Sequence, residues 1–139
     1  MSRMRSDRTA SNLSPQPLRG PISRGPVKAW VSQEGLLRFR VPRGMTITLA
    51  NVEEFEDLRV ELVGEGEEVT CLFDARGVKN VERAARHHPP YAKTRRLALL
   101  IDTAVGRILG NAFMMVTRPK CPTRMFTSEG KAIDWLLEK

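Results

Sequence analysis

Two short apolar runs, each closed by an aspartate, constrain this chain more than any other feature. They are Val69-Thr70-Cys71-Leu72-Phe73-Asp74 and Leu97-Ala98-Leu99-Leu100-Ile101-Asp102. Runs this short with so little polar interruption read as strands buried on both faces. Each is followed by a segment of helical periodicity. Buried strands alternating with helices make a mostly parallel sheet joined by crossovers, which are right-handed.

Upstream, the pattern changes to strict alternation. Val27, Ala29 and Val31 alternate with Lys28 and Trp30, and after the turn at Ser32-Gln33-Glu34-Gly35, Leu37, Phe39 and Val41 alternate with Arg38 and Arg40. Period-two alternation places one face on the core and the other in water, as at a sheet edge. The first strand is expected to run antiparallel to the rest. Pro42-Arg43-Gly44 breaks the second strand, and Thr48 can cap a helix whose apolar stripe is Val52, Phe55, Leu58 and Leu62. Glu53, Glu54 and Asp57 sit toward its positive end, and Gly64-Glu65-Gly66 terminates it. Further helices are expected at about residues 80–88, stopped by Pro89-Pro90, and at residues 104–116 after a strand at 96–101. A strand at 124–126 and a helix from Ser128, with Thr127 as N-cap, complete the chain.

The expected fold is therefore α/β: a mixed, mostly parallel sheet with an antiparallel edge strand, flanked by helices in the order β-β-α-β-α-β-α-β-α over residues 27–139. Residues 1–26 read as a disordered basic arm, with too few large apolar side chains to offset the entropy of ordering. A hydrophobic fraction of 41% in 139 residues supports one domain with a real core. The net charge of +7 belongs mostly to the arm. Residues 1–28 hold six basic side chains and one acid, whereas the remainder holds 17 basic and 15 acidic groups. Two cysteines, Cys71 and Cys121, are too few for a disulfide framework or a zinc site and fit a reducing cytoplasm. No apolar stretch approaches the roughly 20 residues of a membrane-spanning helix, and the first 26 residues lack an apolar signal-peptide core.

With that pattern in hand, the chain resembles the small bacterial STAS/SpoIIAA-like proteins, also described as STAS/SEC14 domain-containing. The resemblance rests on Leu72-Phe73-Asp74-Ala75-Arg76-Gly77-Val78, on residues 98–113 around Gly106-Arg107-Ile108-Leu109-Gly110-Asn111, and on Arg118-Pro119 with residues 122–136. It implies a helix-flanked α/β sheet and a role in protein interaction or ligand sensing rather than catalysis. Relatives that act as anti-sigma antagonists carry a phosphorylatable serine at the start of the helix after the third strand. Here residues 78–86 contain no Ser or Thr, which argues against a serine phospho-switch.

Three groups of residues carry candidate chemistry. In the 104–116 segment, Val105, Ile108, Leu109, Ala112, Phe113 and Val116 form a core stripe. Gly106, Arg107, Gly110, Asn111 and Met114 fall on the other side. Two glycines inside a helix cost about 1 kcal/mol each relative to alanine, so they mark a partner- or ligand-contact face, close packing within the domain, or a position that simply tolerates them. Asp74 and Asp102 end parallel strands, where open α/β sheets bind ligands. They could hold a cation or basic group, or simply cap turns. Arg83, Arg86, His87, His88, Lys93, Arg95 and Arg96 form a basic concentration that could bind phosphate, an acidic partner or nucleic acid, or could simply complement a helix dipole as a solvated face. Adjacent histidines do not share a helix face, so no metal is expected.

The leading expectation is a non-catalytic, cytoplasmic regulatory module that binds a protein partner, with Arg83, Arg86 and the Gly106–Met114 face as contacts. A small-ligand or lipid-binding domain is the alternative, and electrostatic nucleic-acid binding through the basic arm is a weaker one. The arm invites an anionic partner, and homo-oligomers are compatible with the sequence. No phosphate loop, dinucleotide fingerprint or nucleophile–base motif is present, so no enzyme and no cofactor are expected.

Overall fold

Alternation along the strands decides which side of the sheet each residue serves. The computed structural model describes residues 16–86, 93–102 and 121–138. Its strands are β1 (Arg19–Arg24), β2 (Val27–Val31), β3 (Leu37–Arg40), β4 (Thr46–Ile47), β5 (Val69–Asp74), β6 (Asn80–Val81), β7 (Thr94–Leu100) and β8 (Thr123–Phe126). The helices are α1 (Leu49–Val63), α2 (Arg83–Arg86) and α3 (Glu129–Leu136). Six strands form the main sheet in the order β1-β2-β3-β5-β7-β8, and β4 pairs with β6 in a small second sheet. β3, β5, β7 and β8 are parallel, whereas β2 runs antiparallel to both β1 and β3. The expected mixed, mostly parallel sheet is the one observed.

The first face of the sheet carries Ala29, Leu37, Phe39, Cys71, Phe73 and Leu97, all buried against Phe55, Leu58 and Leu62 of α1. Three rings lie at its centre. Phe55 meets Phe73 edge-on at 4.9 Å, and Phe39 lies 5.5 Å from Phe55 and 5.7 Å from Phe73. The second face buries Leu72, Ala98 and Leu100 against Ala132 and Leu136 of α3. This double coverage explains why β5 and β7 read as continuous apolar runs while β2 and β3 alternate.

α1 begins where Thr48 predicts. Its hydroxyl accepts from the Asn51 amide at 3.1 Å, and the Asn51 side chain accepts from the Thr48 amide at 2.8 Å, a reciprocal cap. Near the other end sits a fully buried arginine. Arg59 donates to both carboxylate oxygens of Glu56 at 2.8 Å and to the carbonyl of Gly64 at 3.3 Å, so its charge is paired and the helix terminus is satisfied.

Several expectations need correction. Residues 19–24, assigned from sequence to the disordered arm, form β1, so β2 is not the edge strand. One apolar residue, Ile22, gives no readable alternation there. The strand is held instead by pairing with β2 and by Arg19, whose guanidinium donates to the Leu62 carbonyl at the end of α1 at 2.7 Å. β1 also carries Pro21, and its register shifts between Arg19 and Ile22. The helix expected at 80–88 is preceded by β6, because Asn80 and Val81 pair with Thr46 and Ile47 before α2 begins. α3 is capped by Ser128, whose hydroxyl accepts from the Lys131 amide, rather than by Thr127. The expected helix at 104–116 lies outside the described residues.

Truncating Phe55 to alanine removes the ring common to the two closest aromatic contacts and is expected to cost about 3–5 kcal/mol in urea denaturation. Val60→Ala, at a position 37% exposed on the same helix, should stay within about 0.5 kcal/mol.

Candidate functional site

The carboxyl ends of β5 and β7 bring both strand-end aspartates onto one edge of the sheet. Asp74 is 7% exposed and accepts from Arg76 Nε at 2.9 Å and Arg76 Nη2 at 2.7 Å. The Arg76 amide adds a third bond at 3.2 Å, and Arg40 Nε lies 3.6 Å away. Burial pushes the Asp74 carboxyl up, but the hydrogen bonds and charge of Arg76, helped by Arg40, outweigh it and hold the group below its ordinary value.

Asp102 staples two loops to the end of β7. Arg43, from the loop after β3, donates to Asp102 Oδ2 at 3.0 and 3.2 Å, and the amide of Gly77, from the loop after β5, donates to Oδ1 at 3.1 Å. Gly77 has a φ of +80°, and a Cβ there would stand 2.8 Å from Arg43 Cγ, so glycine is required on both counts. The basic groups that Asp74 and Asp102 hold are thus arginines of the chain itself.

A larger constellation grows from Asp74 toward α3. Arg76 also approaches Glu129 Oε1 at 3.6 Å, and Arg38 donates to Glu129 Oε2 at 2.8 Å. Arg38 and Arg40 both lie against the ring of Trp30, at 5.4 and 5.3 Å from its centre. The result is a closed ring, Trp30–Arg38–Glu129–Arg76–Asp74–Arg40, containing three cations and two carboxylates. It forms because Trp30, Arg38, Arg40 and Asp74 share the second face in register, Trp30 opposite Arg38 and Arg40 opposite Asp74. Lys28 lies opposite Arg40 on the same face. An open groove of about 480 Å³ runs along this ring, lined by Lys28, Trp30, Arg38, Arg40, Glu129 and Ile133 among others.

Residues 29–139 match the family model described as "Domain of unknown function (DUF7793)". The chain belongs to that family. No curated protein matches it. A crystal structure of an uncharacterised DUF3478-family protein with a SpoIIAA-like fold, from Shewanella loihica PV-4, is similar at a TM-score of 0.55 and 18% identity, over 83% of this chain and 98% of that one. This likeness shows the fold, which is SpoIIAA-like. A protein of unknown function from Arthrobacter sp. FB24 is 34% identical over 78% of this chain and 91% of its own, with a TM-score of 0.32. The resemblance to STAS/SpoIIAA-like proteins thus holds as a likeness of fold, and the family is the DUF7793 group.

The remaining sequence-derived residues scatter. Arg83 is exposed on α2, and Arg86 ends that helix. Gly106, Arg107, Gly110, Asn111, Met114, His87 and His88 lie outside the described residues. Alternation along β7 sends Arg95 and Arg96 to opposite faces. Arg95 approaches Glu68 at 3.6 Å, whereas Arg96 lies 5.3 Å from the centre of the Trp135 ring. The basic concentration of the sequence is therefore not one surface among the described residues. Sequence reasoning placed Trp30, Arg38 and Arg40 on a wet face but missed the ring, because Glu129 comes from a segment 91 residues away. No helix among the described residues is long and apolar enough to cross a membrane.

The folded value of Asp74 lies below its unfolded value, so its stabilisation is present above about pH 4 and is lost as pH falls through the depressed folded value. Asp74→Asn is expected to cost about 2 kcal/mol at neutral pH and to flatten the acid limb of the stability profile, read by urea titrations between about pH 2 and 7. Gly77→Ala should cost about 2 kcal/mol through backbone strain and the contact with Arg43, measured the same way.

Proposed function

We propose that this chain is a non-catalytic regulatory module, working in the cytoplasm, that binds a protein partner. The observation that carries this reading is the part of the second sheet face beside α3. Trp30, Lys28 and Arg40 line a groove there that no described element covers. An indole flanked by guanidinium groups is a composition favoured at protein interfaces.

Two further features support it. The strand-end carboxylates, the first place to seek a ligand or acid–base pair in an open α/β sheet, are taken up by Arg76, Arg40 and Arg43 as internal staples. The parallel strands also follow one another in the order β3-β5-β7-β8 without a reversal. A topological switch point, where such sheets open a ligand crevice, needs a reversal. Arg83, Arg107 and Gly110 are additional proposed contacts. A small-ligand reading is favoured by the groove volume alone, which falls in the range of ligand pockets.

Affinity capture with the full chain tests the proposal. One protein should co-purify at fixed stoichiometry in about 0.5 M salt, where exposed charges are screened. It should be retained by a variant carrying Arg3→Ala, Arg5→Ala and Arg8→Ala, and lost with Arg107→Glu or Gly110→Glu. Retention that vanishes with the arm variant would replace this reading by electrostatic binding through the arm. No retained protein under any condition would leave the ligand reading in its place.

A further inference from the structure

The closed ring beside α3 has an odd number of charges. Within the ring Arg38, Arg40 and Arg76 pair with Asp74 and Glu129, Asp102 adds its field at Arg76, Glu34 lines the same groove, and Lys28 adds a further cation opposite Arg40. Within the ring the cations are unequally used. Arg76 holds Asp74 through two short bonds, and Arg38 is 12% exposed on a 2.8 Å bond to Glu129. Arg40 is different. Its side chain is 51% exposed, and its contact with Asp74 is 3.6 Å long, beyond hydrogen-bond distance. A guanidinium presents five donors, so Arg40 keeps donors for another acceptor. The Trp30 ring beneath it restricts its conformations, which lowers the entropy lost on binding.

We infer that this groove receives an acidic, extended segment of a partner protein, with carboxylate side chains at alternate positions. The inference rests on the interaction-module reading and names the chemistry of its partner. Arg38 and Arg40 are two residues apart on one strand, so they stand about 7 Å apart along the groove. An extended peptide repeats its side chains on one side at the same interval. One carboxylate takes Arg40 and Lys28, which face each other across β2 and β3. The next reaches Arg38, where Glu129 now sits. Glu129 is the internal stand-in for that second carboxylate and competes with it. The apolar wall of Trp30 and Ile133 accepts the stems of the acidic side chains.

Two other occupants fit the charges poorly. The chain's own first 15 residues join the groove rim at Gln16, whose carbonyl accepts from Gln33 Nε2 at 2.6 Å. They carry Arg3, Arg5 and Arg8 against Asp7 alone, the same sign as the groove. A second copy of a chain with a net charge of +7 repels the first.

The probe is a fluorescein-labelled peptide of alternating glutamate and alanine, titrated into the full chain carrying Trp135→Phe, so that Trp30 is the remaining tryptophan. Peptide polarisation and Trp30 emission should both respond, and Arg40→Glu should weaken binding about tenfold or more. Glu129→Gln should tighten it about threefold to tenfold by releasing Arg38, a gain that misfolding cannot mimic. Replacing Arg3, Arg5 and Arg8 by alanine should leave the Trp30 response in place. The inference is overturned if Glu129→Gln fails to tighten binding, if the arm variant removes as much as Arg40→Glu, or if a uridine oligonucleotide of equal charge binds more tightly through the same residues. It is also overturned if a protein partner is captured undiminished by Arg40→Glu, an outcome that leaves the module reading standing. Peptide binding at the groove with no protein ever captured would do the reverse.

Discussion

A sheet six strands wide needs cover on both faces, and α3 is only eight residues long. A helix about 10 Å across lies over two or three strands spaced about 4.8 Å apart. Among the described elements, α3 therefore covers β5, β7 and β8 and leaves the second face of β2 and β3 to its own side chains. On the first face, the 15-residue α1 and the phenylalanine cluster carry the core. This unequal coverage determines where the polar chemistry of the molecule lies. β3 buries Leu37 and Phe39 on one side and turns Arg38 and Arg40 to the other, and the ring around Trp30 assembles beside α3, beyond the strands that α3 covers.

The same constraint changes the meaning of the high basic content. In the described residues, arginine acts mainly as an internal fastener. Arg19 closes the end of α1, Arg59 pairs with Glu56 inside the domain, Arg43 ties two loops to Asp102, and Arg96 donates to the Trp135 carbonyl. Planar guanidinium groups suit these tasks because they bond in two directions while stacking on an indole or spanning a turn. A basic isoelectric point in such a chain does not by itself signal nucleic acid. The charges left over matter, and Lys28 and the exposed head of Arg40 are prominent among them.

Much of this fold is legible in the sequence because the signals are local. Thr48 with the stripe Phe55, Leu58 and Leu62 defines α1, and the apolar runs ending at Asp74 and near Asp102 define two neighbouring parallel strands. What escapes the sequence is held by tertiary contact. β1 has one apolar residue and depends on β2 and on the end of α1. β4 and β6 are two residues each and exist only through each other. The candidate site was half legible: alternation puts Trp30, Arg38 and Arg40 on one face, but nothing local says that Glu129 completes their ring. The basic run near residue 95 misleads for the opposite reason, since neighbours in sequence stand on opposite sides of a strand.

β1 has a consequence for how the protein behaves in a crowded solution. An outermost strand offers a row of unpaired backbone groups on which another chain could lay a strand of its own. Pro21 has no amide hydrogen to give such a visitor, the register shift beside it interrupts a regular ladder, and Arg19 and Arg24 place charge at both ends. These features disfavour the addition of another strand on that side.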